Sequence, residues 1–185
     1  IYNSVPSSNQ ADANIVLGHS NFSRNGYADG GDDVFSTPLH SISGDKLLVA
    51  DFANHRVLLW NQVPASGTTL SPDVILGQPN ITSISPNSGG VSAHTLYYPS
   101  SAKICDNKLV VSDYLNNRVL IWNTIPSSNQ VDADVVLGQS GMTTASENNG
   151  GISAHSLRMP YNTLCVGTKL LVADYWNNRV LIWNS

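Results

Sequence analysis

The sequence DYLNNRVLIWN, residues Asp113 to Asn123, recurs with small changes in two other places along the chain. DFANHRVLLWN begins at Asp51 and DYWNNRVLIWN begins at Asp174, so the copies lie 62 and 61 positions apart. An LGH or LGQ tripeptide and a GG(V/I)SAH segment recur with nearly the same period. A fixed period is typical of structural units that are stacked or arrayed. The whole chain is therefore interpreted as repeats, with no separate second domain.

Each repeat contains short runs rich in Val, Ile and Leu, separated by turn-forming residues. In the second repeat the runs are SSAKIC, KLVVSD, RVLIWN and DADVVLG, and none has the length or period of a helix. Four antiparallel strands per repeat, covered by neighbouring repeats, are typical of a β-propeller blade. A parallel β-helix is the alternative, but its coils are shorter than these repeats. The predicted fold class is all-β: a β-propeller of four-stranded antiparallel blades, with three repeats of about 62 residues.

The repeats divide the chain into four segments. Residues 1–18 match the end of a third strand plus a complete fourth strand, and residues 19–77 form blade 1 with a long leading loop. Residues 78–138 form blade 2, and residues 139–185 form blade 3 without its fourth strand. Three hypotheses account for this division: an excerpt of a longer array, a closed oligomer in which chains exchange residues 13–18, or an open fibre built by the same exchange.

The composition indicates a polar, weakly charged surface. The 185 residues are 41% hydrophobic but only 12% charged, about half the usual ~25%. The net charge is −4 and no Lys/Arg cluster is present, which argues against nucleic acid as a partner. No run approaches the ~20 apolar residues of a membrane span. The chain starts at Ile1 without a signal peptide, so we expect a processed or excerpted piece of an extracellular or cell-surface protein.

The central part of each repeat resembles the NHL repeat. KLLVADFANHRVLLW, KLVVSDYLNNRVLIW and KLLVADYWNNRVLIW share its hallmark: a strand ending in Val-x-Asp, a turn with Asn and His or Asn, then Arg-Val. The repeats are longer than the ordinary NHL blade, and the LGQ…GGxSAHxL segment resembles the long-repeat variety of bacterial secreted or surface proteins. The resemblance implies a β-propeller whose usual work is binding, although some relatives are lyases, lactonases or synthases.

The recurring polar residues are predicted to be structural, with a ligand-binding ring as the alternative. The aspartate ends the second strand, where its carboxylate accepts turn N–H groups. The asparagine three positions later is expected to adopt the left-handed conformation, and the arginine to donate to the aspartate or to a neighbouring blade. These motif residues are Asp51, Asn54, Arg56, Asp113, Asn116, Arg118, Asp174, Asn177 and Arg179. The aromatic residues predicted in the blade core are Trp60, Trp122, Trp183 and Tyr2.

The two cysteines occupy matching positions in successive repeats. Cys105 and Cys165 are therefore expected to lie about one repeat apart in space. A disulfide needs Cα atoms within roughly 7 Å, so two buried thiols are predicted instead of a bridge. Neither cysteine has a second Cys or a paired His nearby in sequence, which argues against metal binding or catalysis.

No catalytic residue, metal or cofactor is predicted. The first strands, LHSIS, SSAKIC and YNTLC, offer His40, Lys103 and Asn162, but no carboxylate and no repeated ligand. The chain has no G-x-S-x-G, HExxH or CxxC motif. His94 and His155 recur in SAHTL and SAHSL, where they are expected to pack a short loop.

Two local features have a weaker ligand or modification interpretation. The acidic cluster DGGDD matches no Ca²⁺ loop and is interpreted as a solvated loop. Its candidate metal ligands are Asp29, Asp32 and Asp33. The sequons at Asn21 and Asn80 permit N-glycosylation if the chain passes through a eukaryotic secretory pathway.

The preferred functional hypothesis is a non-enzymatic extracellular scaffold that binds protein or glycan. The alternative is a structural subunit that assembles into an extracellular fibre or sheath by strand exchange, and a third hypothesis is a propeller lyase or lactonase. The expected partners are the protein itself or further propeller repeats at the open blade edge, and a protein or polysaccharide ligand. Nucleic acid and a membrane span are not expected.

Overall fold

The computed structural model describes residues 5–19, 21–23, 35–65 and 71–184, which form three antiparallel sheets. Sheet 1 contains β1 (Pro38–Ser43), β2 (Lys46–Asp51), β3 (Arg56–Trp60) and β4 (Val74–Leu76). Sheet 2 contains β5 (Pro99–Cys105), β6 (Lys108–Asp113), β7 (Arg118–Trp122) and β8 (Val135–Leu137). Sheet 3 contains β9 (Pro160–Val166), β10 (Lys169–Asp174) and β11 (Arg179–Asn184). The all-β prediction is confirmed, while closure into a propeller stays a prediction.

Two-residue turns join the first and second strands of each sheet. Asp106 and Asn107, between β5 and β6, have φ angles of 47° and 61°. This pair of left-handed residues is what a type I′ hairpin turn requires, and short polar side chains tolerate the conformation. Gly44 and Gly167 take the first turn position in the other two sheets, with φ angles of 56° and 57°.

A 3₁₀ helix joins the second and third strands of each sheet. These helices span Phe52–Asn54, Tyr114–Asn116 and Tyr175–Asn177. The left-handed residue follows each helix, at His55, Asn117 and Asn178, with φ angles of 57°, 53° and 53°. The prediction that the preceding asparagine is left-handed is therefore wrong, since its backbone belongs to the helix. No helix in the described ranges is long and apolar enough to cross a membrane.

The main hydrophobic core lies between sheets 1 and 2. Leu48 and Leu59 of sheet 1 pack in the same buried cluster as Leu109 and Trp122 of sheet 2. The connector between β7 and β8, residues 123–134, also contributes to this cluster. Most of the consecutive apolar residues in the second and third strands of sheets 1 and 2 are thus buried on both faces.

The first strands of the three sheets lie side by side, and polar side chains join them. The Ser41 hydroxyl donates to the Ala102 carbonyl at 2.6 Å, and β5 also contacts β9. A disulfide joins Cys105 to Cys165, with their Cα atoms 5.8 Å apart. The prediction of two free thiols is therefore wrong. Matching positions on adjacent first strands are close in space, although a whole repeat separates them in sequence.

The third strand of sheet 3 is more exposed than the third strand of sheet 2. Val180 and Ile182 of β11 are 58% and 56% exposed, whereas Val119 of β7 is fully buried. Trp60 and Trp122 are buried, and Trp183 is only partly buried. Tyr2 lies outside the described residues.

The N-terminal segment packs on sheet 1. The structure assigns no strand to residues 5–19, so the fourth strand predicted within residues 1–18, completing a blade in the same chain or in another, stays a prediction. Ile15 is buried, and Leu17 packs on Leu47 and Val49 of sheet 1.

Candidate functional site

The recurring aspartate is the centre of a buried hydrogen-bond network. In sheet 2, the Asp113 carboxylate accepts hydrogen bonds from the Tyr97 N–H, the Asn116 amide and the Arg118 Nε at 2.7, 2.8 and 2.8 Å. Both side chains of the ion pair are fully buried. Burial raises the pKa of the Asp113 carboxyl, and the Arg118 guanidinium and the three hydrogen bonds oppose that shift. Asp51 and Asp174 accept the equivalent bonds in the other sheets.

The arginine extends this network to the loop before the next first strand. Arg118 donates from Nη2 to the carbonyls of Ser92 and Thr95, both at 2.9 Å. Asn116 also exchanges two amide hydrogen bonds with Asn87, at 2.9 and 2.8 Å. The hydrogen bonds of these polar groups are made within the protein, so their role is to hold the loops at this end of the sheets in position. Any ligand at this end would therefore contact the surface residues.

The same edge of the molecule carries a series of aromatic side chains, three of them exposed and three partly buried. The first residue of each 3₁₀ helix is aromatic, and two tyrosines from the starts of the neighbouring first strands lie between them. We define the aromatic row as Phe52, Tyr98, Tyr114, Tyr161, Tyr175 and Trp176. The row extends over all three sheets.

Close ring contacts make the row continuous. The Tyr161 ring centroid lies 6.0 Å from that of Tyr114 and 5.7 Å from that of Tyr175. Trp176 Nε1 donates to the Tyr114 hydroxyl at 3.2 Å. Tyr161, Tyr175 and Trp176 are 44%, 58% and 49% exposed. Three adjacent aromatic rings therefore present a large part of their surface to solvent.

A cation borders the row at sheet 3. The Arg158 guanidinium carbon lies 5.1 Å from the Trp176 ring centroid, within the range of a cation–π contact. Its Nε is 3.0 Å from the Glu147 carboxylate, and its backbone N–H donates to Asp174 at 2.7 Å. The motif network thus fixes the backbone from which this cation extends.

The row leads into a cavity of about 230 Å³ between the first strands. We call it the polar pocket. His40 from β1, Lys103 from β5 and Asn162 from β9 line it, together with Tyr161 of the aromatic row. These are the three polar residues that the first strands were predicted to offer, and the structure places them around one cavity. The residues that line the pocket include no carboxylate.

The remaining candidates do not join this site. Asp29, Asp32 and Asp33 fall outside the described residues, and the described part of the chain holds no group of three His, Cys, Asp or Glu suited to a metal ion. Asn21 and Asn80 are exposed, and each side-chain oxygen accepts the N–H of the sequon's third residue at 3.0 Å.

The aromatic row was missed from the sequence because its members have two different origins. Phe52, Tyr114 and Tyr175 recur directly after the motif aspartate, which is the signal that was available. Tyr161 and Trp176 have no aromatic counterpart in the other repeats and become neighbours of these residues only through the packing of the sheets.

No protein-family model matches the chain, and the curated proteins include no sequence similar to it.

Proposed function

We propose that the chain is part of an NHL-type β-propeller that acts outside the cell as a non-enzymatic scaffold for glycans carrying acidic groups. The single observation behind this proposal is the exposed aromatic row that continues through Tyr161 into the polar pocket. The propeller class is supported by three similar antiparallel sheets with adjacent first strands. The Cys105–Cys165 disulfide supports an oxidising, extracellular setting.

The aromatic row supports recognition of a ligand with an apolar face. Contiguous exposed apolar surface rimmed by polar groups is typical of interaction sites. Tyrosine and tryptophan offer rigid rings at low conformational cost, together with a polar atom at the ring edge. A sugar ring has a matching form, with C–H groups on its faces and hydroxyls at its edge. Tyr161, Tyr175 and Trp176 would stack on such faces, since each is about half exposed.

The polar pocket supports an acidic substituent on that glycan. His40 and Asn162 provide hydrogen-bonding groups, and Lys103 provides a positive charge. The described residues include no acidic side chain paired with Lys103, and no carboxylate lines the pocket to repel an anion. A uronic-acid residue fits this combination, with its ring on Tyr161 and its carboxylate toward Lys103.

Affinity electrophoresis tests the proposal with polygalacturonate and neutral dextran as the probes. We expect polygalacturonate to retard the native chain more than dextran does. Trp176→Ala and Tyr161→Ala should each weaken binding by roughly 5-fold, because each removes a stacking contact of about 1 kcal/mol. Lys103→Ala should reduce the preference for polygalacturonate while leaving the stacking contacts in place.

The matched control is Phe22→Ala, which removes an aromatic side chain that is 57% exposed and outside the row. It should leave retardation unchanged. If neither polygalacturonate nor dextran retards the native chain, the proposal is contradicted. Equal losses in Phe22→Ala and Trp176→Ala would contradict the assignment of binding to the row.

A further inference from the structure

A positive charge precedes the first strand of sheet 3 at a position where the other two sheets have uncharged residues. Arg158 donates its backbone N–H to the motif aspartate of its own sheet at 2.7 Å. Tyr97 and Ser36 donate the equivalent hydrogen bond in sheets 2 and 1, each at 2.7 Å. The motif network therefore uses only the backbone of this position, and it does not require the guanidinium of Arg158.

The aromatic neighbour of this charge is also specific to the third repeat. The Trp176 N–H donates to the Arg158 carbonyl at 3.2 Å, and Leu115 and Ala53 make the equivalent bond in the other sheets. The Trp176 ring centroid lies 5.1 Å from the guanidinium carbon, and its Nε1 donates to the Tyr114 hydroxyl at 3.2 Å. Backbone and side-chain contacts thus hold the cation beside the aromatic row.

The Arg158 side chain has an acidic neighbour but makes no hydrogen bond with it. Nε lies 3.0 Å from a Glu147 carboxylate oxygen, yet it has no hydrogen-bond partner among the described residues. The two side chains are 34% and 51% exposed, and ion pairs in such surroundings contribute little. A guanidinium has five N–H donors in a fork that suits a carboxylate. An incoming carboxylate can therefore replace Glu147 at this cation.

Lys103 in the polar pocket and Arg158 lie at different levels of the molecule. The Ser100 hydroxyl donates to the Pro160 carbonyl at 3.1 Å, so these two residues mark the same level on adjacent first strands. Lys103 lies three residues further along β5, which is about 10 Å at the ~3.3 Å per residue of a strand. Arg158 lies two residues before Pro160, in the opposite direction, and its guanidinium is held over Trp176. The two cations are thus placed to bind different carboxylates.

We infer that the site binds two acidic groups of one glycan chain, one at Lys103 and the other at Arg158. The inference rests on the proposed function and deepens it, because it assigns the ligand as a run of uronic acid residues instead of a chain with a single acidic sugar. Tyr161 and Trp176, each about half exposed, lie between the two cations and provide faces for the intervening sugars. Arg158 is then a residue that determines specificity for charge along the chain, and Glu147 is the group that the ligand replaces.

Isothermal titration calorimetry with galacturonic acid and tetragalacturonic acid at low salt tests this inference. The native chain should bind the tetramer at least 10-fold more tightly than the monomer, since only the tetramer can contact both cations. Arg158→Tyr introduces the residue that sheet 2 has at this position. It should weaken tetramer binding by about 5-fold and leave monomer binding unchanged. Lys103→Ala should weaken the binding of both ligands.

Two further variants separate ligand binding from a structural ion pair and from a general effect of charge. Glu147→Gln should strengthen tetramer binding by roughly 3-fold, because it removes a competing carboxylate. The control Lys46→Ala removes a positive charge at the end of β2 opposite the motif aspartate, and it should leave both affinities unchanged. If Glu147→Gln weakens tetramer binding as much as Arg158→Tyr does, the pair is structural and the inference is overturned.

The outcomes distinguish this inference from the proposed function. Unchanged tetramer binding in Arg158→Tyr, together with weaker binding in Lys103→Ala, would overturn the second acidic group and leave the proposed function in place. Equal affinities of the native chain for the monomer and the tetramer would do the same. Failure of the native chain to bind either ligand would overturn the proposed function and this inference with it.

Discussion

Acidification should destabilise the fold through His55, the left-handed residue that follows the first 3₁₀ helix. Burial lowers the pKa of the His55 imidazole to about 4. Its Nδ1 accepts the Tyr98 N–H at 3.2 Å, and its ring contacts the Tyr98 ring at a centroid distance of 4.5 Å. The neutral imidazole is thus the form that fits, since a protonated Nδ1 has no lone pair for this hydrogen bond.

The size of the effect follows from the pKa difference between the folded and unfolded states. An unfolded histidine titrates near 6.5, so the unfolded chain binds the proton first as the pH falls. Stability is therefore retained above about pH 6.5 and lost progressively down to the folded pKa of about 4. Acidification from pH 7 to pH 4.5 should lower the unfolding free energy by about 2 kcal/mol through the titration of His55.

The chain itself provides the matched variant for this prediction. Asn117 holds the equivalent position in sheet 2, where its side-chain oxygen accepts the Met159 N–H at 2.9 Å. His55→Asn should keep the hydrogen bond and the left-handed turn while removing the titrating group. It loses aromatic contacts of about 1 kcal/mol at pH 7.

Urea unfolding, followed by tryptophan fluorescence at pH 7 and pH 4.5, measures the difference. On acidification, His55→Asn should lose about 2 kcal/mol less stability than the native chain does. The other titrating groups are common to both proteins and cancel in the comparison. Identical losses in the two proteins would refute the reasoning that His55 is held neutral by the fold.

Two further predictions concern the buried network and the disulfide. Asp113→Asn should lower the unfolding free energy by about 3–5 kcal/mol, because it leaves a buried guanidinium without its charge partner. Asp174→Asn should lower the unfolding free energy clearly less, since Arg179 is 26% exposed. Equal losses of unfolding free energy for the two variants in urea would contradict the role given to burial. Replacing Cys105 and Cys165 by serine should lower the stability of the chain by about 2–4 kcal/mol. Alkylation and mass spectrometry of the native, unreduced chain should detect no thiol at either cysteine, and labelling of either would contradict the bridge.

The strands were predictable because their apolar periodicity and turn residues repeat along the chain. KLVVSD and RVLIW became β6 and β7, and the hydrogen bond between Asp113 and Arg118 is a local contact between facing residues. The left-handed residue was misplaced by one position, at Asn116 instead of Asn117. Positions 116 and 117 are both asparagine in that repeat. In the first repeat the corresponding residues are Asn54 and His55, so the second of the two positions is the one that tolerates substitution.

The disulfide and the aromatic row depend on how the sheets pack against one another. The repeat period alone does not predict that packing. Cys105 and Cys165 are 60 positions apart in sequence, yet their first strands are adjacent. Tyr161 contacts Tyr114 from a different sheet for the same reason. Spacing along the chain predicts contacts within a sheet, whereas contacts between sheets require the packing geometry.

Hydroxyl-radical footprinting with and without polygalacturonate tests the central claim most directly, because it reports which side chains a ligand covers. The account predicts protection of Tyr161, Tyr175 and Trp176, with no change at Phe22, which is 57% exposed outside the row. Binding of polygalacturonate that leaves the aromatic row as reactive as before would contradict the assignment of this edge as the ligand-binding surface.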